Sequence, residues 1–227
     1  MKNYKVFVLL FFIIVTKTFS QTTNDAGLWA TLNLDKEVSK RFSLFLTEEY
    51  RMRENFTRVN LFYTDLGIEA RPFKILKVSL AYRLIEKNLI DNTYSYRHRL
   101  MLDITVKQKY KKLILSYRQR LQAEVRNVTS SKNGKMPEWY SRNKFEVKYN
   151  FGKPVIPYVA VELRYQFHNP RQVESDKTWH RSRYTLGLDY KKNEKNTFGI
   201  YYLIQQEYNV SAPQDLYIIG IEYSYTL

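Results

Sequence analysis

From about residue 40 to its end, the chain alternates between apolar and polar residues. In "YRQRLQAEVR", Tyr117, Gln119, Leu121, Ala123 and Val125 form one set, and Arg118, Arg120, Gln122, Glu124 and Arg126 form the other. Successive side chains of a strand point to opposite faces, so a period of two gives one mostly apolar face and one charged face. The pattern returns in "YSYRHRLMLDITVKQKY", where Leu100, Leu102, Ile104 and Val106 oppose Arg99, Met101, Asp103 and Thr105. It returns again in "WYSRNKFEVKYNF", "YVAVELRYQFH" and "RSRYTLGLDY". A helix would repeat near 3.6 residues, and these runs do not.

Eleven segments carry the signal, near 27–35, 41–53, 58–71, 75–87, 94–109, 112–126, 139–151, 155–168, 178–191, 196–208 and 215–227. Most are far longer than the roughly 5–6 residues of an ordinary globular strand. A tilted strand needs about 9–11 residues to cross a bilayer, so the excess length points to an all-β, antiparallel transmembrane barrel of ten to twelve strands. Connections alternate too. "RPFK", "YKK", "GKP" and "KKNEKN" are tight, whereas "NVTSSKNGKMPE" and "NPRQVESDKT" are longer and polar. In outer-membrane barrels the short turns are periplasmic and the long loops extracellular, which places the end of each even-numbered strand outside. Eleven crossings would then start the chain on the wrong side, and bacterial barrels normally have even strand counts. The expectation is therefore ten strands from Arg41 to Leu227, with "GLWATLNLDKEV" no full crossing, or twelve with one strand hidden in a loop.

The first twenty residues set the compartment. Lys2 and Lys5 precede an apolar run from Val6 to Val15, and Thr18 and Ser20 are small residues placed for a cut before Gln21. This is the pattern of a secretory signal peptide, too short to span a membrane. Residues 1–20 are read as that leader and 21–227 as one barrel domain, exported to the outer membrane. The chain has no cysteine, so it has neither a lipoprotein anchor nor disulfides nor a cysteine metal site. Mean hydropathy is −0.50 and no second long apolar stretch follows, which excludes a helical bundle and leaves a barrel open. The net charge of +15 falls to +12 once Lys2, Lys5 and Lys17 leave with the leader. Nucleic acid is not the expected partner, because the charges fall at strand period and the protein is exported.

The signal peptide, "LWATLNLDKEVSKRFSLFLTEEYRMR", "LKVSLAYRLIEK" and "RHRLMLDITVKQKYKKLILSYRQRL" together resemble the domain-of-unknown-function family 2490. The resemblance covers the mature chain and rests on a Trp near its start and Tyr-Arg pairs near strand ends. It implies an outer-membrane barrel of Gram-negative bacteria and brings no activity and no catalytic residues. The last strand, "LYIIGIEYSYTL", resembles the C-terminal signal read by barrel-assembly machinery, although it ends on Leu227 rather than on an aromatic residue.

Candidate chemistry is sparse. His98 with Ser95 is the nearest thing to the Ser-His arrangement of a barrel enzyme acting on membrane lipid, since serine needs a base to become nucleophilic. His168 and His180 have no metal-ligand partner at a useful spacing. No catalytic residue, metal or cofactor is assigned. "NVT" at 127–129 reads as loop sequence. The charged face carries the interest: Arg97, Arg99, Arg118, Arg120, Arg126, Arg142, Glu146, Glu162, Arg164, Arg181 and Arg183 share inward parity. Cross-strand ion pairs filling a narrow bore explain much of this. Arg97, Arg99, Arg126, Arg142, Arg181 and Arg183 should also gather in the outer half with Glu124 as their nearest carboxylate. That would form a basic vestibule that concentrates anions. The expected role is a narrow anion-preferring channel or a structural and binding barrel, with outer-membrane lipid around it and anionic solutes or lipopolysaccharide phosphates as partners. The alternatives are the lipid-acting enzyme and a soluble secreted sheet protein.

Overall fold

All eleven alternating segments become strands in a computed structural model, which describes residues 23–89, 91, 93–126, 136–170 and 176–227. They are β1 (Thr23–Glu37), β2 (Phe42–Arg53), β3 (Arg58–Phe73), β4 (Leu76–Asn88), β5 (Tyr94–Tyr110), β6 (Leu113–Arg126), β7 (Glu138–Tyr149), β8 (Val155–His168), β9 (Thr178–Lys191), β10 (Asn196–Glu207) and β11 (Gln214–Thr226). Each pairs antiparallel with the next, and β1 pairs with β11 to close one barrel. Closure leaves no strand edge with unpaired backbone groups. The leader and the "NVT" sequence lie outside the described residues.

The expectation for the N-terminal segment is corrected. "GLWATLNLDKEV" belongs to β1, a complete wall strand of 15 residues, so the count is eleven, within the expected ten to twelve but odd. The antiparallel barrel holds at ten of its eleven seams, and one seam is parallel. In a ring of antiparallel neighbours direction alternates, so an odd number must place two like-directed strands side by side. Here they are β1 and β11, in unbroken parallel register from Thr23↔Gln214 to Asp35↔Thr226.

Side chains sort as the alternation predicts. Leu100, Leu102, Leu121, Leu186 and Leu188 point outward, Leu186 being 62% exposed, while Met101, Asp103, Glu162 and Arg183 point into the lumen. The apolar faces therefore do not meet each other in a core, as a soluble two-layer sheet would need. Glu48 departs from the outward pattern at mid-strand, and the Thr64 hydroxyl donates to it at 2.9 Å.

The strand ends at 53 and 58, 88 and 94, 126 and 138, 168 and 178, and 207 and 214 lie at one rim, called upper here, and the tight connections, 38–41, 74–75, 111–112, 150–154 and 192–195, lie at the other. Inside, Trp29, Leu203 and Ile218 form a small apolar cluster. Three inward aromatic rings lie across the glycine directly opposite on the next strand: Phe45 on Gly67, Tyr158 on Gly187 and Tyr201 on Gly220. A Cβ at Gly220 would fall within the Tyr201 ring. Gly220→Val should therefore destabilise the barrel by about 1–3 kcal/mol through overpacking. Tyr201→Ala in the same chain should recover part of that loss. Urea unfolding in lipid vesicles checks both, and an unchanged midpoint for Gly220→Val would remove the ring-on-glycine fit as a determinant.

Candidate functional site

The lumen contains two polar cavities, one toward each rim. The upper is about 290 Å³ and the lower about 330 Å³. Trp29, Arg51 and Arg183 line both and form a waist between them. Period-two alternation brings these side chains inward from distant strands, and the register fixes their heights.

At the waist, the Arg51 guanidinium lies 3.6 Å above the Trp29 ring, and that of Arg183 lies 5.2 Å from it. Arg51 is ion-paired with Glu49. Glu49 also accepts hydrogen bonds from Thr31 at 3.0 Å and Tyr63 at 2.7 Å. Tyr63 in turn lies under Arg83, whose guanidinium is 3.4 Å from its ring centre and forks onto Asp65. Nearby, Arg120 forks onto Asp103 with two bonds of 2.7 Å. Such bidentate pairs fix geometry as well as charge. Glu162 holds three arginines: Arg142 at 2.6 Å, Arg118 at 2.8 Å and Arg183 at 3.3 Å. Below them, Glu146 pairs with Lys144 and Lys148 at 2.8 and 3.6 Å.

The upper chamber is different in balance. Nine cationic side chains line it against three carboxylates, Asp25, Glu124 and Glu207, whereas the lower chamber has seven against four. Arg97 and Arg99 both donate to Glu124, at 3.2 and 3.0 Å. Arg126 spans Glu124 and Glu138, and Arg181 pairs with Glu207. Arg164 has a ring instead of a carboxylate: its guanidinium sits 3.6 Å above Tyr140. His180 stacks on the same ring at 6.0 Å.

Two register shifts produce this corner. Between β8 and β9, Arg164 pairs with Arg181 but Tyr165 pairs with Trp179, so His180 is an extra residue. Between β7 and β8, Tyr140 pairs with Gln166 but Trp139 pairs with His168, so Phe167 is extra. Bulges re-aim side chains, and the first places the His180 ring against Tyr140.

The expected lumen residues thus divide by height. Arg97, Arg99, Arg126, Arg164 and Arg181 line the upper chamber, and Arg118, Arg120, Arg142 and Glu162 line the lower. Arg183 reaches both, and Glu146 lies toward the lower rim. Arg142 was expected with the upper group. Its register partners are Arg120 of the lower chamber and Arg164 of the upper, and it lines the lower one because its fork turns to Glu162. The sequence reading missed Trp29, Arg51, Tyr63 and Tyr140. Trp29 carries a usable signal, since Trp29, Thr31 and Asn33 alternate with Leu28, Ala30 and Leu32, yet the even-count rule sets its segment outside the wall.

Ser95 and His98 do not form a dyad. They are three residues apart on one strand, so Ser95 faces inward while His98 faces outward against Tyr82. His168, the last residue of β8, contacts Asp176 at 3.2 Å at the upper rim. Among the described residues no group of three or more His, Asp or Glu side chains is placed to hold a metal.

A family model described as a protein of unknown function, DUF2490, matches residues 26–215. No curated protein matches the sequence. Among solved structures, the NanC porin is similar at 13% identity, with a TM-score of 0.50 over 79% of this chain and 85% of that one. LpxR from Salmonella typhimurium is similar at 11% identity, with a TM-score of 0.52 over 86% of this chain and 87% of that one. At these identities the likeness is one of barrel fold.

Proposed function

We infer that this chain, which belongs to the DUF2490 family, is an outer-membrane barrel whose arginine-lined lumen passes small anions through a narrow waist. The observation that carries this reading is the wall of the upper chamber, where nine cationic side chains face three lining carboxylates, Arg97, Arg99 and Arg126 share Glu124 with Glu138 added beside Arg126, and Arg164 has no ion-pair partner among the described residues. Ion pairs that only hold the wall together would come out nearly balanced, and a one-signed excess in a confined, low-dielectric bore concentrates counter-ions. The porin likeness of the fold supports a channel, and the outward girdle of Leu, Ile, Val and aromatic residues supports lipid contact. In this reading residues 1–20 direct export, barrel-assembly machinery inserts the chain, and the upper rim with its long connections faces outward.

Passage follows from the side chains. Anions enter among Arg97, Arg99, Arg164 and Arg181, whose planar forks suit carboxylate and phosphate. They then meet Trp29, Arg51 and Arg183, where the ring narrows the bore and the two guanidiniums keep the path cationic. Reconstituted in a planar bilayer under a salt gradient, the protein should show small, anion-preferring conductance. Trp29→Ala should raise that conductance severalfold by opening the waist, and Arg97→Glu with Arg181→Glu should weaken or reverse the preference. A silent bilayer, or cation preference in the unmodified protein, would overturn the channel reading. Lipid hydrolysis would require another arrangement than Ser95 with His98, which lie on opposite faces of β5.

A further inference from the structure

Lumen arginines are partnered as a rule. Arg51, Arg83, Arg97, Arg99, Arg118, Arg120, Arg126, Arg142, Arg181 and Arg183 each lie within ion-pair distance of a carboxylate. Arg164 is the exception in the upper chamber. Its contact is the Tyr140 ring, and its Nε is buried without a hydrogen-bond partner among the described residues. The Nε atoms of Arg97, Arg126 and Arg181 are orphaned in the same way, and all three side chains line the same chamber. Arg99 and Arg181 are within electrostatic reach of Arg164 and repel it, while Glu124, Glu138 and Glu207 attract it from beyond ion-pair distance. Arg164 and His180 both lie against the Tyr140 ring, His180 through the bulge, and this ring contact rather than an ion pair holds the guanidinium.

A buried donor without an acceptor is costly, and cations that repel one another are costly together. One kind of ligand relieves both: a compact anion with several acceptor oxygens and more than one negative charge. Coulomb attraction scales with the ligand's charge, so a dianion gains about twice what a monoanion of the same size gains from the same guanidiniums. Planar Arg forks match tetrahedral oxyanions through paired N–H···O bonds. The aromatic faces nearby are already covered, Tyr140 by Arg164 and Trp29 by Arg51, so the chamber offers charge and N–H groups rather than a stacking surface.

We propose that Arg164, with Arg99 and Arg181, forms a binding subsite for a compact oxyanion of at least two charges, phosphate or a small phosphate monoester. The subsite rests on the anion-attracting lumen proposed above, but its occupancy does not need an open waist. Because these side chains line the interior, the phosphate is a soluble one rather than a lipid headgroup outside the wall.

The test is calorimetric titration of the folded full chain in detergent at mildly alkaline pH. The probes are sodium phosphate and, at matched ionic strength, sodium nitrate. Phosphate should saturate one site per chain and bind at least about tenfold more tightly than nitrate. Arg164→Gln should weaken phosphate binding by about tenfold or more, and Arg164→Lys by a smaller factor, because the charge stays and the fork is lost. Lys77→Gln, at the lower rim, should leave phosphate binding within about twofold of the unmodified protein, as expected for a distant screened charge. Arg164→Lys carries the test if Arg164→Gln does not fold. Equal affinity for phosphate and nitrate would overturn the subsite, as would equal effects of Arg164→Gln and Lys77→Gln. A conducting barrel with no phosphate site loses this inference alone. A silent barrel that binds phosphate through Arg164 loses the channel and keeps the subsite.

Discussion

Glu162→Gln should destabilise the barrel by about 3–5 kcal/mol, because breaking a buried pair strands the opposite charge. Here one carboxylate holds three guanidiniums, those of Arg118, Arg142 and Arg183, and the Glu162 side chain is only 8% exposed. A glutamine keeps the shape and removes the charge, so three repelling arginines would share a single amide oxygen. Two comparisons separate this from a generic lumen effect. Glu207→Gln touches one arginine, Arg181, in a more open setting and should cost no more than about 1 kcal/mol. Adding Arg142→Gln to Glu162→Gln should recover stability, since it removes the surplus charge the first change created, a coupling read from the double-mutant cycle. The readout is the urea midpoint in lipid vesicles. Equal losses for Glu162→Gln and Glu207→Gln would show that Glu162 is not the central anchor.

Leu186→Arg should be nearly as damaging for a different reason. Leu186 faces outward from the middle of β9, between Val159 on β8 and Tyr202 on β10. An arginine at the lipid-facing midplane of a barrel costs about 2–4 kcal/mol. Its neighbour Thr185 faces the lower chamber, where a long side chain finds polar surroundings that include Glu222. Thr185→Arg should therefore fold and insert far better than Leu186→Arg, although the two positions are adjacent in sequence. Similar insertion yields for the two variants in refolding with lipid vesicles would contradict a membrane-embedded outer face. They would also count against the location proposed for the protein.

The wall was legible in the sequence because a strand's two faces are written residue by residue. The period of two in 94–126 and 178–191 gave strand type, approximate length and the side to which Leu102, Arg99, Leu186 and Arg183 point. The one segment misjudged, β1, failed on a rule of even strand counts and not on its own pattern, since Trp29, Thr31 and Asn33 alternate with Leu28, Ala30 and Leu32 as well as any strand does. Only the tertiary structure could decide the rest. Which side chains meet across the lumen depends on the shear of the closed register, and no local pattern encodes the heights at which remote strands align. So Arg142 belongs with Glu162 rather than with the upper group, and Trp29 and Arg51, cross-strand partners on β1 and β2, meet Arg183 of the distant β9 at the waist. The placement of Arg164 depends further on bulges of one residue each, at Phe167 and His180. Alternation fixes the face of each side chain, whereas partnership in a barrel is a property of closure, in which a shift of one residue in one ladder changes every contact above it.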